Sequence, residues 1–210
     1  MEITPAYLKH LHSVIEDEIE ERLASFDKNT TREKILKEFF FCMLTPQCKA
    51  QVCWDNVERL YPNGTLLQGS SATIAESFQG VRFKNNKAAY IVESRYMFSD
   101  GGVFFRNLER EKDPLFLREY LVSNVRGMGL KESSHFLRNI GRGRSLAILD
   151  RHILNGLKTA SVINDIPGSL TAGRYLGIEE KMRSFARKIS IPMAHLDFVF
   201  WYIKKGEIFK

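Results

Sequence analysis

Leu121-Val122-Ser123-Asn124-Val125-Arg126-Gly127-Met128-Gly129-Leu130-Lys131-Glu132-Ser133-Ser134-His135-Phe136-Leu137 is the stretch that organises this chain. An apolar helix end runs into Gly127-Met128-Gly129, and a second apolar helix begins at once. Two glycines let the backbone turn tightly and come close to a neighbour. The first amides of the new helix have no intrahelical acceptor, so they are free to hold a phosphate. Together these are the parts of a helix-hairpin-helix over about residues 115–140, a device that grips DNA backbone without reading bases. Gly-x-Gly alone is equally a plain tight turn. Its position between two amphipathic helices, in a basic region, favours the phosphate reading.

Charge points the same way. The 210 residues hold 31 basic and 25 acidic side chains, a net charge of +6. Residues 1–105 hold 12 basic and 14 acidic groups, and residues 106–210 hold 19 and 11. A basic half suggests one face for a polyanion, nucleic acid before membrane, with solubility as the bland alternative. No run of 18 uncharged apolar residues is present, which argues against a transmembrane helix. Residues 1–9 lack an apolar segment, so no cleaved secretory signal is expected and the location expected is cytoplasmic, at the nucleoid. Three cysteines, Cys42, Cys48 and Cys53, do not describe a disulfide framework.

Working outward from the hairpin, the pattern is helical almost throughout. Leu8, Leu11, Ile15, Ile19 and Leu23 form a helical stripe over 4–26, opposite an acidic, solvated face of Glu16, Asp17, Glu18, Glu20 and Glu21. Thr30 or Thr31 can cap a helix running to Leu44. Pro46 predicts another helix over 47–61 with Thr45 as its cap. Helices are expected over 71–79, 85–98, 114–124 and 130–140, with a break at Asp100-Gly101-Gly102. Asp150 can cap a helix from Arg151, and Gly168 and Gly177 punctuate the helical remainder. Alternating runs and Asn-Gly hairpins are missing, so the fold class expected is all-α.

Two side chains stand out chemically. Lys131 follows the second glycine by two positions, at a helix start. Partial positive charge there disfavours an ammonium, and partial burial would make the lysine a usable amine nucleophile. A phosphate-binding or surface lysine is the plain alternative. Asp150 follows the apolar run Leu146-Ala147-Ile148-Leu149. It reads as a simple helix cap, or as a carboxylate that stabilises positive charge on a sugar and handles protons for a nearby amine, and both can hold at once. The five histidines, His10, His12, His135, His152 and His195, show no metal-ligand spacing and read as structural, so no metal is expected. Trp54, Trp201 and Phe83 could sandwich a base, although aromatics in an α-bundle more often belong to the core.

Gly127-Met128-Gly129-Leu130-Lys131, followed by Leu149-Asp150-Arg151-His152, resembles the helix-hairpin-helix superfamily of DNA glycosylases. The segment 131–141 with 146–153 is similar to the archaeal-type (second type) 8-oxoguanine DNA glycosylase/lyases. In that resemblance Lys131 matches the lysine of the bifunctional members and Asp150 the aspartate. Leu44-Thr45-Pro46-Gln47 resembles the loop where the superfamily places a glutamine near DNA, which implicates Gln47. Val81-Arg82-Phe83-Lys84-Asn85-Asn86-Lys87-Ala88 resembles its segment beside the base pocket, which implicates Phe83. The loop Gly141-Arg142-Gly143-Arg144-Ser145 lacks the glycine and proline that name the superfamily, a subgroup character that leaves the loop's route open. The four-cysteine iron–sulfur cluster of some relatives is excluded, since no cysteine follows Cys53.

The resemblance implies two helical lobes around a DNA-binding cleft. One spans 30–150 and the other joins 1–29 to 151–210. It implies excision of 8-oxoguanine from duplex DNA, then strand nicking. Lys131 would be the nucleophile and Asp150 the electrostatic partner. Gln47, Arg126, Gly127, Gly129, Arg138, Arg142, Arg144 and Arg151 would hold DNA. Phe83, Trp201 and Lys210 would serve the base pocket, Lys210 because the family tends to end at a lysine that closes it. No cofactor is implied, the partner is double-stranded DNA containing 8-oxoguanine, and a monomer is expected. A non-catalytic helix-hairpin-helix protein, or a glycosylase for another oxidised base, remains the alternative.

Overall fold

A computed structural model describes residues 3–98 and 103–210. Among them are twelve α-helices, one 3₁₀ turn and no strand, which is the all-α class expected. The break expected at Asp100-Gly101-Gly102 lies outside the described residues.

Caps fix several helix starts where the sequence places them. The Thr4 hydroxyl accepts the Tyr7 N–H at 3.2 Å and opens α1, Pro5–Asp27. Thr31 accepts the Lys34 N–H at 3.3 Å and opens α2, Arg32–Leu44. Asp113, with Pro114 behind it, opens α8, Pro114–Asn124. Such a cap contributes about 1 kcal/mol to its helix.

One helix starts later than its proline suggests. Instead of a helix over 47–61, α3 covers Ala50–Leu60. Thr45 does not cap it, because its hydroxyl donates back to the Cys42 carbonyl at 2.9 Å, at the end of α2. Gln47 takes a left-handed conformation, φ 53°, that turns the chain between the two helices. The Lys87 ammonium donates to the carbonyls of Leu44, at 2.7 Å, and Pro46, at 2.9 Å, and fixes that turn.

The chain continues with α4 (Thr65–Gln68), α5 (Ser71–Ser77), α6 (Lys84–Ser94), the 3₁₀ turn Arg95–Phe98, α7 (Val103–Arg110) and, after α8, α9 (Leu130–Asn139). Neither α4 nor α7 was expected; both are short, and propensity signals little over one or two turns. After α9 come α10 (Arg151–Thr159), α11 (Ala172–Ile189) and α12 (Met193–Lys205). Gly177 does not punctuate: it sits inside α11, where a glycine costs about 1 kcal/mol against alanine but does not stop a helix held by Tyr175, Ile178 and Met182 in the core.

Buried apolar side chains fall into two clusters. The first runs from Leu36 to Leu146, with Phe39 meeting Phe40, Phe98, Phe104 and Phe136 edge-on. Truncating such a ring to alanine typically costs 3–5 kcal/mol. The second joins α1 to Ala147, Leu149 and α10–α12. Two buried ion pairs stitch the clusters together. Arg118 of α8 grips both carboxylate oxygens of Glu179 of α11, at 2.8 and 2.9 Å, and Glu179 also accepts the Ala147 N–H at 2.7 Å. Arg138 of α9 meets Asp197 of α12 at 2.5 Å.

Candidate active site

The hairpin forms as its sequence requires. Val125 to Gly129 connects α8 to α9, and the Met128 N–H closes a turn on the Val125 carbonyl at 3.2 Å. Gly127 has φ 89°, and a Cβ there would lie 2.4 Å from the Tyr90 ring. Tyr90 in turn carries the Arg126 guanidinium 5.0 Å from its centroid. Gly129 caps α9, and its N–H is taken by Glu132 Oε2 at 3.2 Å. Among the described residues, the amides of Leu130, Lys131 and Glu132 find no protein acceptor, which leaves them for an anion at the start of α9.

Lys131 emerges from that same turn. Its side chain keeps 21% of its surface exposed, and Nζ lies 2.9 Å from Glu132 Oε1. Thr45 Oγ1 is 3.5 Å away, so the amine faces the turn that carries exposed Gln47. Sequence reasoning missed Glu132, although Gly129-x-x-Glu132 is the spacing at which a carboxylate reaches back to a cap.

Asp150 serves two ends with two oxygens. Oδ1 accepts the N–H groups of His152, at 2.7 Å, and Ile153, at 2.8 Å, and so caps α10. Oδ2 has no hydrogen-bond partner among the described residues. Its charge acts on both Arg138 and Asp197. Burial, joined by this neighbouring carboxylate, pushes Asp197 up to about 7 against the pull of Arg138.

The expected basic set divides. Arg126 is exposed, though paired with Glu93 at 3.1 Å, and Arg151 is exposed with no side-chain partner among the described residues. Arg138 does not face DNA: it is 2% exposed and committed to Asp197 and Asn139. Arg142 donates to the Leu108 carbonyl at 3.1 Å, and Arg144 meets Asp27 at 2.6 Å and Glu20 at 3.8 Å. The route of their loop is set by Gly141, φ 71°, where a Cβ would lie 2.7 Å from Asp27 Oδ1 at the end of α1.

Among the described residues, no hydrogen bond or ring contact joins the base-pocket candidates to one another. Phe83, 55% exposed in a left-handed conformation, opens α6 and lies under the Arg82 guanidinium, 5.6 Å from its ring centroid. Trp201 meets His152 edge-on at 5.0 Å, and its buried Nε1 has no partner among the described residues. The Lys210 side chain turns into the first lobe, with Nζ 3.3 Å from the Trp54 ring centroid and bonded to Glu38. Glu38 continues to Asn139 at 2.9 Å and so to Arg138. Burial holds Lys210 below the usual ammonium range, and it holds His135 well below the imidazole range. The charges of Arg138, Lys131 and Lys210 all act on His135 in the same direction.

Comparisons with known proteins identify the family. Residues 19–191 match the family Ogg-HhH, described as 8-oxoguanine DNA glycosylase. A Fusobacterium nucleatum protein named 8-oxoguanine DNA glycosylase/AP lyase is 40% identical over 97% of this chain and 96% of its own length. One of the same name from Methanocaldococcus jannaschii is 34% identical over 95% of each chain. The crystal structure of a Methanocaldococcus jannaschii 8-oxoguanine glycosylase/lyase, in complex with a 15mer DNA containing 8-oxoguanine, superposes with a TM-score of 0.86 at 31% identity, over 97% of each chain. The Thermotoga maritima 8-oxoguanine DNA glycosylase Tm1821 also gives 0.86 at 31% identity, over 98% of each. This chain belongs to the Ogg-HhH family of 8-oxoguanine DNA glycosylases.

Proposed function

We propose, from that membership, that the chain excises 8-oxoguanine from duplex DNA and then nicks the strand at the resulting site. The observation that carries the catalytic assignment is the amine of Lys131, part-exposed at the hairpin and held 2.9 Å from the Glu132 carboxylate. Phosphate binds the free amides of α9 and the exposed Arg126 and Arg151. The lesion leaves the stack and enters the site, with Gln47 near the vacated space.

Glu132 is the acceptor within reach for the Lys131 proton, which frees the amine pair. Nitrogen attacks the sugar anomeric carbon, and the base leaves with the electrons of the glycosidic bond. Asp150 Oδ2 faces the positive charge that develops on the sugar. Opening of the sugar ring gives a Schiff base on Lys131, and β-elimination breaks the C–O bond 3′ to the lesion. No cofactor enters these steps. Lys210 contributes by holding residues 206–210 against Trp54 and Glu38, beside the pocket. Trp201 supplies an aromatic wall from α12, and Phe83 an exposed ring at α6. The enzyme works as a monomer on DNA in the cytoplasmic nucleoid.

Incubation with lesion-containing duplex and borohydride tests this reading. A trapped covalent adduct on 8-oxoguanine duplex is expected. DNA binding without any adduct would mark a non-catalytic helix-hairpin-helix protein, and trapping only on a different lesion would change the substrate.

A further inference from the structure

The strongest feature outside the site lies between α1 and α12. His12 Nε2 and His195 Nδ1 are 2.9 Å apart, although the residues are separated by 183 positions. His195 Nε2 lies 2.9 Å from Glu20 Oε1, and Glu16 Oε1 lies 3.9 Å from His12 Nε2. One ligand atom each from His12, Glu16 and His195 falls within 4.8 Å of the other two. Both imidazoles are buried, at 8% and 3% exposure, whereas Glu16 and Glu20 are half exposed.

The hydrogen bonds fix the tautomers. The Glu20 carboxylate can only accept, so His195 Nε2 carries the proton and donates it. That leaves a lone pair on His195 Nδ1, pointing at His12. A ligating histidine whose other ring N–H is held by a carboxylate is the usual outer arrangement of a metal site.

We propose that His12, His195 and Glu16 form a binding site for a zinc-class divalent ion, with Glu20 orienting His195 from the outer shell. Bonds of about 2.0–2.2 Å to nitrogen and oxygen place tetrahedral ligand atoms roughly 3.3–3.5 Å apart. The imidazoles therefore open by a few tenths of an ångström, and the half-exposed Glu16 side chain swings in. On His12 the proton passes from Nε2 to Nδ1, so ligation leaves the ring neutral. The fourth position faces solvent between Glu16 and Glu20 and takes water. The ion clamps α1 to α12, the helix that carries Trp201. Two histidines plus a carboxylate prefer zinc or cobalt to calcium or magnesium, which favour all-oxygen sites.

Tag-free protein, stripped with a chelator, is titrated with zinc chloride by calorimetry and by dialysis with metal analysis. One zinc per chain and a higher thermal midpoint with zinc than with chelator are expected. Glu16→Gln, on the exposed face of α1, should weaken zinc binding at least about tenfold while folding normally. Glu20→Gln should weaken it about 10–100-fold through the outer shell. Cobalt(II) should give a tetrahedral visible spectrum without thiolate charge transfer. Failure to bind zinc, zinc binding unchanged in Glu16→Gln, or a thiolate band placing the ion on Cys48 and Cys53 would each overturn the proposal.

Discussion

Lys131 and Glu132 are consecutive in the chain and also joined side chain to side chain, Nζ to Oε1 at 2.9 Å, while Glu132 Oε2 holds the Gly129 amide. Glu132 thus holds the lysine amine with one oxygen and the amide of the cap residue with the other. Lys131→Gln keeps the length and removes the nucleophile. It should abolish base release and nicking in single-turnover assays while lesion binding persists.

Asp150→Asn should slow excision at least about tenfold, or ~1.4 kcal/mol, because Oδ2 would no longer carry charge. Asparagine can still accept the amides of His152 and Ile153, so the thermal midpoint should move little. If the midpoint collapses while the folded fraction stays fully active, Asp150 is a cap alone.

Gly127→Ala meets two obstacles, φ 89° and a Cβ that would lie 2.4 Å from Tyr90. Urea unfolding should show a loss of about 1–3 kcal/mol. Affinity for undamaged and lesion duplex should fall together, since the turn holds phosphate rather than base.

Arg151→Ala should lower the slope of log K against log salt by about 0.9, the value for one phosphate contact. Arg144→Ala should leave that slope unchanged, because Arg144 is engaged with Asp27 and Glu20. Its effect should be a loss of under ~1 kcal/mol in stability, as for surface pairs generally. Equal slopes for wild type and Arg151→Ala would remove Arg151 from the DNA face.

Stability against pH should show two opposed contributions. His135 is held well below 6.5, so below that pH the unfolded chain binds a proton that the fold refuses, and stability falls as pH drops. His195 acts in the same direction. Asp197, pushed up from 3.8 to about 7, binds its extra proton in the fold and so favours the fold as pH drops through that window. Urea midpoints at several pH values should therefore give a shallower acid-side loss for His135→Phe and a steeper one for Asp197→Asn. The slope is the readout, since either variant also shifts the level.

Much of this was legible in the primary structure, for local reasons. Thr4, Thr31, Asp113 and Asp150 announce helix starts through short-range hydrogen bonds, and the hairpin announces itself through glycines. What escaped was set by partners distant in sequence. The start of α3 depends on Lys87, 43 residues beyond the Leu44 carbonyl it holds. Arg138, Arg142 and Arg144 look like any other arginines of the basic half, yet each is claimed by an acid or carbonyl from another element. His12 and His195 show no ligand spacing because only the packing of α12 on α1 unites them. The inward turn of Lys210 needed Trp54 and Glu38 in place before it could be seen.

The pairing of α1 with α12 also bears on how the molecule is made. Residues 36–146 close a core from one uninterrupted run, so that lobe can assemble while the ribosome is still at work. The apolar stripe of α1 cannot: its cover, α12, is translated only after that run. At about 5–20 residues per second, Leu8, Ile15, Ile19 and Leu23 wait roughly ten seconds or more for Phe198 and Val199. During that interval the dense acidic charge from Glu16 to Glu21 keeps like nascent chains apart, acting as a temporary guard against aggregation.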